Sequence, residues 1–123
     1  MKQEDKELLL KDICARLPYG VKFKVADGDT RILDAVEFCI ITGQNKLSFG
    51  LAESTIEKNK VMPYLRPLSS MTDNEKNELL KYTGSTIDKE IDFYNSNHFD
   101  YRGLIPKSLA LEAPEGMYNN ISK

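Results

Sequence analysis

Apolar residues near the start of the chain recur at the spacing of an α-helix. The residues that share one helical face are Leu10, Ile13, Cys14 and Leu17. Pro18 disfavours helical geometry at the residue before it. The pattern therefore predicts a helix over residues 4–16, followed by a turn at Tyr19 and Gly20.

After Gly20 the apolar pattern changes to the alternation of a β-strand. The apolar positions are Val21, Phe23 and Val25. Lys22 and Lys24 lie between them, which predicts a half-buried strand with a basic outer row. The next two residues of note, Asp27 and Gly28, predict a tight turn, because both residue types tolerate the positive φ of hairpin turns.

Further apolar runs alternate with turns up to residue 65. A second strand is expected over residues 31–42. Its polar residues do not alternate cleanly, and a bulge or burial on both faces would explain this irregular pattern. The third strand carries Leu47, Phe49 and Leu51. With a short fourth strand over residues 61–65, the pattern predicts an antiparallel meander or a small SH3-like barrel.

Helix signals dominate residues 71–118. Thr72 and Glu75 have the spacing of a capping box, in which each side chain accepts a hydrogen bond from the other residue's backbone N–H. They predict a helix over residues 73–82, which Gly84 stops.

Two more helices are expected after Gly84. Ser85 or Thr86 can cap the first, whose apolar stripe consists of Ile87, Ile91 and Tyr94. Pro106 suits the first turn of a last short helix, and Pro114 ends it.

These elements predict an α+β fold with an N-terminal helix, a small antiparallel meander or SH3-like barrel, and a helical C-terminal half. The composition of 41% hydrophobic and 29% charged residues is typical of a globular protein. We expect a single domain over residues 1–118, in which residues 1–70 form the helix and meander and residues 71–118 the helical half. Residues 119–123 are expected to be a frayed tail.

Charge and cysteine content limit the functional classes to which the protein can belong. Seventeen basic and nineteen acidic residues give a net charge of −2, so no global positive field attracts nucleic acid or anionic lipid. Cys14 and Cys39 lie in apolar runs without metal-site spacing, and we expect buried free thiols. No apolar run has the length of a signal peptide or a membrane span, which predicts a soluble, cytoplasmic protein.

The segment "NSNHFDYRGLI" holds the one histidine of the chain and the strongest candidate chemistry. His98 would continue the apolar stripe of the third helix, which favours a buried, hydrogen-bonded residue. Asp100 is expected to accept hydrogen bonds from backbone amides at the helix end, and Arg102 to pair with an internal acid. An alternative is a small enzyme that uses His98 with Asp100 or Arg102.

Known catalytic and metal-binding motifs are not found. "DGDTR" begins like a calcium loop, but Arg31 stands where an oxygen ligand is needed and Ile32 where glycine is needed. Phosphate-binding loops, GxSxG and HExxH are missing as well. We therefore predict no catalytic residue, no metal and no cofactor.

Three stretches carry a resemblance to a protein family: "KDICARLPYG", "PYLRPLSSMTDNEK" and "DFYNSNHFDYRGLIPKSLALEAPEGMY". Together they cover nearly half of the chain, and they resemble a family of small uncharacterised proteins from gut anaerobic bacteria, their phages and mobile elements. The resemblance implies a mobile-element context and no particular activity. Members often have a second histidine where this chain has Asn97, and a longer stretch between the two middle helices.

The leading functional hypothesis is a non-enzymatic interaction module that binds a protein partner. Polar and aromatic residues beside the irregular "PYLRP" bridge motivate it, and its candidate contact residues are Tyr64, Arg66, Tyr101 and Arg102, with His98 and Asp100 at the neighbouring corner. Besides the enzyme hypothesis, a nucleic-acid-binding accessory protein using Lys22 and Lys24 stays open, although the net charge disfavours it. The sequence does not predict the oligomeric state.

Overall fold

The computed structural model describes residues 2–25, 28–41, 43–50, 52–55, 61–82 and 87–118. The fold is α+β, as predicted. Its helices in the described residues are α1 (Gln3–Arg16), α2 (Asp73–Leu80) and α3 (Ile87–Ser96). None of these helices is long and apolar enough to cross a membrane.

The described strands form a four-stranded and a three-stranded sheet. The strands are β1 (Lys22–Lys24), β2 (Thr30–Ile32), β3 (Ala35–Cys39), β4 (Gln44–Phe49), β5 (Ala52–Thr55), β6 (Met62–Leu65) and β7 (Leu111–Glu112). The first sheet has the order β2-β1-β6-β7 and the second the order β3-β4-β5. All pairs are antiparallel except β6 and β7, which run parallel.

The prediction of one strand over residues 31–42 is wrong, because the chain changes sheets within it. Leu33 donates its N–H to the carbonyl of Val21 at 3.0 Å, whereas Asp34 donates to Ser48 at 2.9 Å. Two neighbouring residues thus bond to different sheets, and the irregular polar pattern marks this crossing. Residue 42 lies outside the described part of the chain.

The predicted half-buried first strand is confirmed. Val21 and Phe23 are fully buried, whereas Lys24 points to solvent. The tight turn that follows is present at Gly28, whose N–H donates to the carbonyl of Val25 at 2.9 Å. Gly28 has a φ of 91°, a backbone conformation that side chains disfavour. Its neighbour Asp27 lies outside the described residues.

The predicted N-terminal helix is confirmed, but its buried face differs from the expected one. The buried residues of α1 are Leu9, Asp12, Ile13 and Arg16. Cys14 is exposed, so the prediction of a buried thiol is wrong for it. The physical reason is that Asp12 and Arg16 take core positions as a bonded pair, which turns Cys14 outward.

The capping box at the start of α2 is confirmed. Thr72 Oγ1 accepts the N–H of Glu75 at 3.2 Å, and Glu75 Oε1 accepts the N–H of Thr72 at 2.9 Å. The helix ends at Leu80, slightly before the predicted residue. The expected stop and cap residues at 84–86 lie outside the described residues.

The prediction of a last short helix between Pro106 and Pro114 is wrong. Turns occupy this segment, and Asp100 holds them by accepting the N–H of Leu104 at 2.8 Å and of Ile105 at 3.0 Å. The chain then forms β7, so that the last described segment returns onto the sheet. The buried core is built from α1, both sheets and this returning segment.

Candidate functional site

Arg66 links the end of β6 to α2. Its guanidinium donates to both carboxylate oxygens of Glu75, each at 2.7 Å. The same group lies over the ring of Phe99, 4.2 Å from the ring centroid. Burial alone would raise the pKa of Glu75, but hydrogen bonds from Arg66 and Thr72, and the charge of Arg66, hold it below its usual value. The pair is therefore ionised and fixed at neutral pH.

A groove of about 750 Å³ opens beside this ion pair. One wall comes from the start of α2 and the turn before it, and the other from residues 112–118. We call it the α2 groove. It is lined by Arg66, Pro67, Ser70, Thr72, Asn74, Glu75, Glu78, Asn97, Glu112, Ala113, Pro114, Glu115, Gly116 and Tyr118.

The lining of the α2 groove is strongly acidic. Its ionised side chains are Arg66 and four glutamates, Glu75, Glu78, Glu112 and Glu115, so four negative charges and one positive charge leave a net charge of −3. In the described part of the chain, no basic group lies within ion-pair distance of Glu78, Glu112 or Glu115. These three carboxylates are thus available to a cationic ligand.

The groove also borders on the edge strand β7. β7 is the outermost strand of the first sheet, and Glu112 and Ala113 line the groove. Ala113 donates its N–H to Leu65 on β6 at 2.8 Å. Because successive residues of an extended chain direct their backbone groups to opposite sides, Glu112 directs its N–H and C=O away from β6. An added strand could pair with these groups.

Tyr118 lines the groove and is anchored to β1 and β6. Its hydroxyl donates to the carbonyl of Tyr64 at 2.8 Å and accepts the N–H of Lys22 at 2.7 Å. Burial raises the pKa of Tyr118. Lys22 Nζ also donates to the carbonyl of Met117 at 2.8 Å, so that the basic row of β1 is partly engaged within the molecule.

His98 lies behind Tyr118 and is buried, as predicted, but not on a helical stripe. α3 ends at Ser96, and His98 has a φ of 63° in the corner that follows. Its ring stacks on Tyr118 with centroids 3.8 Å apart, and its Nδ1 has no hydrogen-bond partner in the described part of the chain. Burial, and then the charges of Arg16, Arg66 and Lys22, lower its pKa to about 4. The imidazole is therefore neutral at pH 7.

A separate buried cluster joins α1 to the corner after α3. Asp12 accepts hydrogen bonds from Arg16 Nε at 2.7 Å and from Arg102 Nη1 at 2.8 Å. Arg16 also donates to the carbonyl of Phe99. The Tyr101 ring lies beside both guanidinium groups, and its hydroxyl donates to Asn95 at 3.1 Å. The expected pairing of Arg102 with an internal acid is confirmed.

The six candidate residues thus do not converge on one site. Arg66 lines the α2 groove, and the carbonyl of Tyr64 accepts a hydrogen bond from Tyr118, which also lines it. Tyr101 and Arg102 belong to the buried cluster and are half-buried. None of these contacts tests whether the side chains bind a partner, which stays a prediction.

The enzyme hypothesis requires His98 to converge with Asp100 or Arg102 in an open pocket. Both carboxylate oxygens of Asp100 accept backbone amides, as predicted for its role at the corner, and Arg102 points to Asp12. The structure therefore does not bring the three groups together around an open site. In the described residues, no group of three potential ligands could hold a metal ion.

Sequence analysis missed the glutamates of the groove and an apolar patch on the second sheet. Glu112 and Glu115 follow an apolar run, but only the return of β7 brings them near Glu78. The patch consists of Phe38, Ile40 and Ile41, which are 61%, 85% and 94% exposed at the β3–β4 hairpin. Two consecutive isoleucines before a turn could have indicated it.

Comparisons with protein-family models, curated proteins and solved structures find no match to this chain.

Proposed function

We propose that this protein is a non-enzymatic interaction module that binds a segment of a partner protein in the α2 groove. The observation that carries the proposal is an open groove of about 750 Å³ next to β7, which is an edge strand among the described strands. Exposed strand edges beside pockets are used by peptide-binding domains, because main-chain hydrogen bonds supply affinity and the pockets supply specificity.

The groove is held in shape by contacts that need no partner. Arg66 and Glu75 fix α2 against the end of β6, and Tyr118 fixes the opposite segment to β1 and β6. A preorganised groove loses little conformational entropy on binding, so that more of the contact energy appears as affinity. Arg66 keeps the role of a binding residue in this proposal, and Tyr64 supports the groove from behind.

The wider context belongs to the same proposal. The motif resemblance supports an origin in a phage or mobile element, and the low cysteine content supports a cytoplasmic location. The short antiparallel strands support the description of the β-region as an SH3-like barrel. Tyr101 and Arg102 remain predicted contact residues for a partner that also covers the neighbouring corner.

Site-specific photo-crosslinking in the native host tests the proposal. Asn74 lines the groove and Asn77 is exposed on the same helix outside the lining, so benzoylphenylalanine at the two positions gives a matched pair. We expect position 74 to trap one discrete protein species that position 77 does not. Ala113→Arg, which adds a long cationic side chain at a lining position of the groove, should abolish the adduct. Equal adducts at both positions, or no adduct at position 74, would overturn the proposal.

A further inference from the structure

We infer that the segment bound in the α2 groove is extended and basic, and that it adds to the first sheet as a strand beside β7. This inference rests on the proposed function and names its class of partner. The occupant is a Lys/Arg-containing segment of another protein whose basic residues alternate with small or apolar ones.

The direction of the outer backbone groups of β7 requires an extended ligand. Ala113 is bonded inward to Leu65, so Glu112, which lines the groove, directs its N–H and C=O away from β6. A helical ligand satisfies its own backbone groups and leaves this edge unpaired. An extended segment instead pairs with the edge and places alternate side chains on opposite sides.

The charges of the groove require basic side chains. Glu78 stands on the α2 wall, and Glu112 and Glu115 stand on the opposite wall, so that carboxylates face a bound strand from both sides. The one cation of the lining, Arg66, is already neutralised by Glu75. Acidic or phosphorylated segments would meet like charges and no free cation, which disfavours them.

The uncharged part of the lining explains why basic residues of the bound segment should alternate with small or apolar ones. Pro67, Ala113, Pro114 and the ring of Tyr118 offer apolar surface between the carboxylates. A strand that directs small or apolar residues to this surface can hold its basic residues near the carboxylates above it.

The described strands of a second copy do not supply the segment. In the described part of the chain, the alternating basic stretch is β1, with Lys22 and Lys24. β1 is paired with β2 on one side and with β6 on the other, so the described residues of a folded copy offer no free basic strand of this kind. We therefore assign the groove to a different protein.

Selection from a random peptide library displayed on phage tests the inference without knowledge of the natural partner. Wild-type protein and Ala113→Arg, the variant with an added cation at a lining position, serve as baits. We expect wild-type bait to enrich peptides with alternating Lys or Arg, and the variant to enrich none of them. Enrichment of neutral or acidic peptides, of helix-forming peptides, or of nothing at all would overturn the inference.

The best enriched peptide is then synthesised with a fluorophore and titrated by fluorescence anisotropy. Replacing Glu112 or Glu115 by Gln should weaken its binding roughly two- to five-fold each, the size of an exposed ion pair. Glu37→Gln, at an exposed position on β3, is the matched control and should leave binding unchanged. Equal affinities for all three variants and the wild type would contradict the role of the carboxylates.

The two proposals fail in different ways. If photo-crosslinking from position 74 traps a partner while the selected peptides carry no basic residues, the groove is a binding site and the inferred chemistry is wrong. If crosslinking fails, the proposed function itself is wrong.

Discussion

The imidazole of His98 lies nearly parallel to the phenol ring of Tyr118, with ring centroids 3.8 Å apart and 19° between the planes. The hydroxyl of Tyr118 bonds to the backbone of Lys22 and of Tyr64. One stack thus connects the corner after α3 to β1, to β6 and to the wall of the α2 groove. The neutral form of His98 is part of this connection, because Arg16, Arg66 and Lys22 all oppose a positive charge there.

The folded protein should therefore lose stability as the pH falls below about 6.5, the pKa of an ordinary histidine. The pKa of His98 is lowered from 6.5 to about 4, so the unfolded chain binds this proton first. The stabilisation of the folded state by neutral His98 is complete above pH 6.5. It is lost as the pH falls toward 4, and the loss amounts to roughly 3 kcal/mol. Urea unfolding across this pH range measures how the unfolding free energy changes with pH.

His98→Phe is the control for this pH effect, since it keeps a ring beside Tyr118 and removes the titrating group. The difference in unfolding free energy between wild type and variant should shrink or reverse as the pH falls. A constant difference would show that His98 does not titrate in this window. At neutral pH, His98→Ala should cost about 1–2 kcal/mol through the lost buried group.

Asp12→Ala should be the most destabilising of the polar substitutions. Asp12 is fully buried between Arg16 and Arg102, and its removal leaves the fully buried guanidinium of Arg16 without its carboxylate. Breaking such a buried pair costs about 3–5 kcal/mol. Urea denaturation measures the loss, and the exposed Lys11→Gln on the same helix should change stability by less than about 0.5 kcal/mol. Similar values for the two variants would contradict the buried cluster.

A double-mutant cycle on Arg66 and Glu75 should give a coupling energy of about 1–2 kcal/mol. The pair is bidentate and mostly buried, which distinguishes it from the Lys46–Glu53 pair, whose groups are about half exposed. The same cycle on Lys46 and Glu53 should give no more than about 0.5 kcal/mol. If the two cycles agree, the α2 groove is not fixed by its ion pair.

Replacing Ile40 and Ile41 by Thr should leave the unfolding free energy within about 0.5 kcal/mol, because both side chains are exposed. Leu47→Ala, at a fully buried position on the neighbouring strand, should by contrast cost about 2–5 kcal/mol. Sedimentation velocity at high concentration should show less association for the Thr variant, since the exposed apolar patch is smaller. A large stability loss would show that the patch is covered in solution.

Local patterns predicted the elements whose causes are local. The capping box at Thr72 and the alternation around Phe23 depend on residues a few positions apart, and both are confirmed. The burial of Arg16 could not be predicted in this way, because one of its partners is the carbonyl of Phe99, 83 residues later in the chain. Because arginine is hydrophilic, nothing in the sequence indicated that Arg16 lies in the core.

The groove could not be predicted from the sequence for the same reason, because it depends on contacts between residues far apart in the chain. β7 is two residues long and carries no periodicity of its own, so that its pairing with β6 decides its conformation. Glu78 and Glu112 become neighbours of one groove only through that pairing. The corner at His98 shows a related limit, since an apolar stripe does not reveal that the helix ends at Ser96.

The parallel pairing of β6 with β7 also has a consequence for synthesis. While the chain emerges from the ribosome, β6 can pair with β1 early, but the carbonyl of Leu65 has no strand partner until Ala113 has been added. A stalled nascent chain would therefore present an open sheet edge to chaperones and to other nascent chains. The wall of the α2 groove that carries Glu112 and Glu115 forms only when β7 has closed that edge.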